Sequence, residues 1–133
     1  MNSDYNAKKP QTTKNKSFYQ SVRHALVGLV TGFKEELNLQ RDLMMAALAI
    51  ILGLICRLHY IDWLFLILAI FIVLLAEFWN TVVEHFVDLL VEHQFNPTAK
   101  KIKDISAASV LLSAVLALVI GAVVFGHAVL TYL

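Results

Sequence analysis

Apolar and polar positions along the 133-residue chain fall into four blocks. In residues 17–37, Phe18, Val22, Ala25, Leu26, Leu29, Val30 and Phe33 recur at helical spacing, while Arg23, His24, Thr31, Lys34 and Glu35 fall mostly elsewhere. This pattern predicts an amphipathic helix suited to a membrane surface, with Ser17 as its N-cap. Three charge-free apolar runs follow, over residues 43–56, 63–76 and 105–126. A hydrocarbon core of about 30 Å takes about 20 helical residues. The third run meets that length alone. The first two are shorter and lie back to back around Arg57–Asp62, which reads as a helical hairpin with a tight turn. The expected elements are a surface helix over about 17–37 and spans over about 42–59, 62–90 and 103–131. They form one domain over 17–133, behind a polar, basic and disordered tail at 1–16.

Composition sharpens the class. Hydrophobic residues make up 59% and charged residues 16%, with mean hydropathy +0.69. Soluble domains run near about 45–50% and about 25%. The chain is therefore read as an all-α integral membrane protein. A net charge of +1 gives no ground for a nucleic-acid partner. Cys56 is the single cysteine, so no intrachain disulfide can form, and no cleavable leader is expected. Ten of the eleven Lys and Arg lie in residues 1–41 and 100–103. The positive-inside rule then places the N-terminus and the loop near 85–104 in the cytoplasm and the C-terminus outside, in the plasma (inner) membrane.

The second apolar run ends in AEFWNTVVEHFVDLL, where Glu77, Asn80, Glu84 and Asp88 stand at i, i+3, i+7 and i+11. On a 3.6-residue helix these positions form one stripe. A carboxylate at the membrane boundary is costly unless it faces protein, water or a cation, and two on one face repel unless something positive stands by them. Oxygen ligands with room for water suit Mg²⁺. Glu35 and Glu36 end the surface helix on the same side of the membrane, and Lys100, Lys101, Lys103 and Asp104 open the third span. Carboxylates for a metal and lysines for phosphates are the parts phosphoryl transfer needs. No GxxxxGK[ST] or GxGxxG loop occurs, so a nucleotide site here is built from helix ends. Spacing alone leaves a second reading open, in which the stripe is simply solvated.

The run Glu77-Phe-Trp-Asn80-Thr81-Val-Val-Glu84-His-Phe-Val-Asp88 resembles the core motif E-x-x-N-[ST]-[AV]-[IV]-E-x-x-[VI]-D of the prokaryotic diacylglycerol kinases. Ala99-Lys100-Lys-Ile-Lys103-Asp104-Ile-Ser-Ala-Ala-Ser-Val110-Leu111 resembles the family's second motif, and Gly28, Glu36 and Asn38 carry a third likeness upstream. The resemblance covers about residues 17–130. It implies a homotrimeric membrane lipid kinase with sites shared between subunits, Mg²⁺ as cofactor and ATP as phosphate donor. Glu77 is implied as the general base on the lipid hydroxyl, and Glu36 and Glu84 as metal ligands. Nucleotide contacts are implied for Ser17, His24, Glu36, Asn80, Glu84, Asp88, Asn96, Lys103 and Asp104. Lipid contacts fall to Glu77 and Trp79.

The chain resembles the undecaprenol kinase branch more than the diacylglycerol branch, so undecaprenol is the expected acceptor and diacylglycerol the alternative. A non-enzymatic oligomeric scaffold is the rival from another class. Departures from the family pattern fall at Leu37, Asp42, Asn96, Ser106, Ser109 and His24, and none touches Glu77 or Glu84.

Overall fold

The computed structural model describes residues 17–132 as four helices: α1 (Phe18–Glu35), α2 (Leu37–Ile55), α3 (Tyr60–Leu90) and α4 (Pro97–Tyr132). The expected tail at 1–16 lies outside the described residues. The chain divides into two units at Thr31–Gly32. The first holds most of α1. Ser17 caps that helix as expected, its Oγ accepting from Gln20 N–H at 3.3 Å, and Phe18, Val22, Leu26 and Leu29 are exposed.

The second unit holds the rest. Glu36 alone separates α1 from α2, with extended backbone at φ −101° and ψ 114°. The helix that follows starts at once, five residues before the expected span. Leu37–Asp42 is mixed in polarity, and Asn38 and Asp42 sit four apart on one face of α2, so the helix continues where hydropathy falls.

The hairpin turn has a sharp physical cause. Arg57 takes φ 51°, Leu58 N–H donates to Gly53 O at 3.1 Å and Arg57 N–H to Leu54 O at 3.2 Å. This is a Schellman ending with a left-handed residue just past the helix. Gly53 makes it possible, because a Cβ there would lie 2.9 Å from the Trp63 ring and 3.0 Å from Leu58. The turn thus seats Leu58 and Trp63 on the end of α2. Leu58, Leu66, Val124 and Ala128 form the buried cluster at this end of the bundle.

α3 is the central element, packing chiefly on α4 and also on α2. Three helices, Leu37–Ile55, Tyr60–Leu90 and Pro97–Thr131, are long and apolar enough to cross a bilayer. α3 has 31 residues, a length of about 46 Å at 1.5 Å per residue. A hydrocarbon core of about 30 Å uses only its first 20 or so residues. Counted from Tyr60, that length ends near Trp79, so Glu77 lies in its last turn and Asn80, Glu84 and Asp88 lie past it. At the far end α3 stops in two left-handed residues, Glu92 (φ 50°) and His93 (φ 60°). α4 then restarts at Pro97, capped by Asn96, whose Oδ1 accepts from Thr98 N–H at 2.9 Å and Ala99 N–H at 3.1 Å. Proline at the first helical position lacks only an N–H that would have had no partner.

Candidate active site

Charged and amide side chains inside an apolar bundle are expensive, so those that are buried mark a site. In α3, Glu77 and Asn80 are each 4% exposed. Asn80 Nδ2 donates to Glu84 Oε1 at 3.1 Å, one turn further on. Glu77 Oε1 and Asn80 Oδ1 have no hydrogen-bond partner among the described residues, and neither has Asp42 Oδ2 of α2. Asn38 is the polar side chain set against the Glu77 carboxylate, and Asp42, Glu84 and Glu36 are the negative charges that reach it. The sequence stripe is thus a convergence of α2, α3 and the α1–α2 joint.

The remaining expected residues fall in three places. Glu36 is bound by His85 Nε2, which donates to its Oε1 at 2.8 Å. Lys103 Nζ donates to both carboxylate oxygens of Asp88, each at 2.8 Å, joining the start of α4 to the end of α3. Asp104 pairs with Lys100 one turn away on the exposed face of α4, and Asn96 caps α4. Trp79 is 66% exposed, two residues past Glu77 on α3. Ser17 and His24 belong to the first unit and are exposed there.

Three residues at the site carried no expected site role: Asn38, which belongs to the upstream family likeness, Asp42, a departure from the family pattern, and His85. Asn38 and Asp42 carried a signal in their four-residue spacing at the head of an apolar helix. His85 carried none, since it stands off the stripe and its partner is 49 positions away.

Asp42 also ends a groove of about 350 Å³ between α2, α3 and α4. Apart from that carboxylate its lining is apolar, including Met45, Val73 and Phe125, and small residues such as Ala69 and Ala117 open the space. One polar end and a long apolar lining match the form of a lipid with a single polar group.

Among the described residues no three His, Cys, Asp or Glu side chains stand close enough to hold a metal on their own. Mg²⁺ does not need them to, because it is commonly bound by one or two carboxylates together with substrate phosphates and water. Glu36 and Glu84 supply two carboxylates near the unpartnered oxygens of Glu77 and Asn80. The donor set, all hard oxygen, fits that cation.

Fold and site together define a multi-pass helical membrane protein with a polar site at one end of its spans. Residues 23–125 match the family model described as Prokaryotic diacylglycerol kinase. The chain belongs to that family and is a lipid kinase. It is 33% identical over 108 residues to "Undecaprenol kinase" of Bacillus subtilis, across 81% of this chain and 87% of that protein. It is 31% identical over 101 residues to "Diacylglycerol kinase" of Synechocystis, across 76% of this chain and 58% of the relative. To "Diacylglycerol kinase" of Helicobacter pylori strain J99 it is 26% identical over 122 residues, across 92% and 91% of the two. The family resemblance read from the motifs around Glu77 and Lys103 is borne out.

Proposed function

We propose that the protein transfers the γ-phosphoryl group of ATP to the hydroxyl of a membrane lipid alcohol, undecaprenol in the first place, giving the lipid monophosphate and ADP. The observation that carries this reading is the burial of Glu77 near the end of the apolar length of α3 with one carboxylate oxygen unpartnered. A base for a lipid hydroxyl has to stand at headgroup depth with an oxygen free to take the proton. The lipid chain lies in the α2–α3–α4 groove and brings its hydroxyl to Glu77, past Asp42. The hydroxyl oxygen attacks the γ-phosphorus, its proton passes to Glu77, and the bond to the β-phosphate oxygen breaks.

Glu36 and Glu84 would hold Mg²⁺, which when bound draws negative charge from the phosphate oxygens. Asn80 fixes Glu84. Lys103 offsets the charge that develops on the phosphates, with Asp88 holding it, and Asp104 and Asn96 stand at the same end of α4. Ser17 and His24 are nucleotide contacts by family resemblance alone, and Trp79 would shape the lipid entrance. α1 lies on the cytoplasmic surface of the plasma membrane, where ATP is found, and the C-terminus is outside. Three helices give too little wall for a closed site, so subunits share sites, and the family resemblance makes the working unit a homotrimer.

Undecaprenol is supported by the Bacillus relative's name and by the motif likeness. Diacylglycerol, named for the other two relatives, is the second reading. The test is to compare initial rates on the two lipids in mixed micelles with Mg²⁺ and ATP. A higher kcat/KM on undecaprenol supports the reading, and a clear preference for diacylglycerol replaces it with the second.

A further inference from the structure

Glu36 is the one residue between α1 and α2, and its backbone is tied into both. Its N–H donates to Gly32 O at 3.0 Å, and its carbonyl accepts from Gln40 N–H at 3.1 Å. A glutamate at a helix start can turn its carboxylate onto the first turn, yet no cap hydrogen bond forms here. The carboxylate instead leaves α2 and accepts from His85 Nε2 on α3 at 2.8 Å. His85 is the residue directly after Glu84. A ring on the central helix, itself 71% exposed, therefore reaches one of the two carboxylates assigned to the cation, and its chain neighbour is the other.

We propose that His85 is a positioning residue for the divalent-cation site, fixing the Glu36 carboxylate against α3 beside Glu84. The proposal rests on the kinase reading above, with Glu36 and Glu84 as the pair that holds the metal. A glutamate side chain has several staggered rotamers of similar energy, and those that turn Glu36 away leave the cation one ligand short. The bond from His85 selects among them. Asn80 does the same for Glu84 through its bond of 3.1 Å. Each carboxylate is held through Oε1 by a donor from α3, and its Oε2 accepts no hydrogen bond among the described residues. Donors of this kind, one step behind a metal's own ligands, set ligand orientation and so the metal affinity. The rival role for His85 is a clasp that merely docks the α1–α2 joint on α3. A clasp would move stability without moving metal affinity.

The test uses the full chain in detergent micelles and Mn²⁺ alone as the probe, its binding followed by electron paramagnetic resonance. H85A is expected to weaken Mn²⁺ binding roughly tenfold. H85Q keeps a donor at the same reach and stays within about threefold of wild type, whereas the shorter H85N behaves like H85A. In an E36Q background, adding H85A costs nothing more, because the two act through one contact. Thermal melting of each variant separates a fold defect from a metal defect, and H85N replaces H85A if the latter melts early. Wild-type Mn²⁺ affinity in both H85A and H85N overturns the proposal, as does a loss that adds in full to that of E36Q. Either result, obtained with a wild-type chain that phosphorylates lipid alcohols, leaves the kinase reading standing. A wild type that binds no Mn²⁺ and phosphorylates no lipid alcohol overturns both.

Discussion

Lys103 and Asp88 form a two-pronged bridge, the ammonium lying 2.8 Å from each carboxylate oxygen. It joins the end of α3 to the start of α4 and leaves both side chains about one-third exposed, at 33% and 34%. The ammonium to which the proposed mechanism gives the phosphates is thus held by a neighbour of opposite charge. Lys103→Met is expected to lower kcat/KM for ATP by about 10²-fold, the scale of losing a donor to developing charge. Asp88→Asn loses the aim and keeps the charge, so its loss is smaller. The double variant is no worse than Lys103→Met, since both act through one contact. Steady-state kinetics on the four proteins checks this, and a double variant with the product of both losses contradicts it.

Asn96 has two candidate roles that can be separated. Its side chain caps α4, and the family resemblance gives it a nucleotide contact. Asn96→Ala is expected to destabilise the fold by about 1 kcal/mol through the lost cap, and Asn96→Ser to keep most of that stability. Thermal unfolding in micelles reads the cap. If the KM for ATP rises equally in both variants while only the alanine form is destabilised, both roles hold.

Gly53 sits where two side chains crowd the end of α2. Gly53→Ala sets a methyl 2.9 Å from Trp63 and 3.0 Å from Leu58, and overpacking of this kind costs typically about 1–3 kcal/mol. The opposing gain in helix propensity is below about 1 kcal/mol. The variant is therefore expected to unfold at a lower denaturant midpoint. Its ATP kinetics should be unchanged, because the hairpin turn is at the other end of the bundle from Glu84.

The groove predicts a separation of the two substrates. Ala117 lines it and is half-buried, so Ala117→Phe fills space that the proposed mechanism gives to the lipid chain. KM for the lipid alcohol should rise by at least about tenfold, with KM for ATP unchanged. Initial rates with each substrate varied in turn decide this, and an equal rise in both KM values would place the lipid elsewhere.

Much of this molecule could be read from its sequence, and the exceptions have physical reasons. The three spans were legible because a bilayer demands long apolar runs, and the stripe because helical period puts Glu77, Asn80, Glu84 and Asp88 on one side. The join at Glu36 was placed near residue 37, but the helix that follows was expected five residues later. Hydropathy measures burial in lipid, and Asn38 and Asp42 turn their polarity toward α3. The role of Asn96 as a cap needed the start of α4 to be known to the residue. His85 was invisible for a different reason. A hydrogen bond across 49 positions is a tertiary fact, and a histidine off the acidic face gives no local sign of its partner.

In the proposed mechanism Glu77 accepts the proton of the lipid hydroxyl. The most direct measurement is transfer of labelled γ-phosphate from ATP to a panel of lipid alcohols in mixed micelles, with wild type and Glu77→Gln side by side. Glutamine keeps the size and removes the base, so the variant should retain nucleotide binding and lose turnover by about 10²-fold or more. Labelled lipid monophosphate from the wild type, and almost none from Glu77→Gln, is the predicted result. Equal product from both proteins, or no labelled lipid from the wild type with any alcohol, contradicts it.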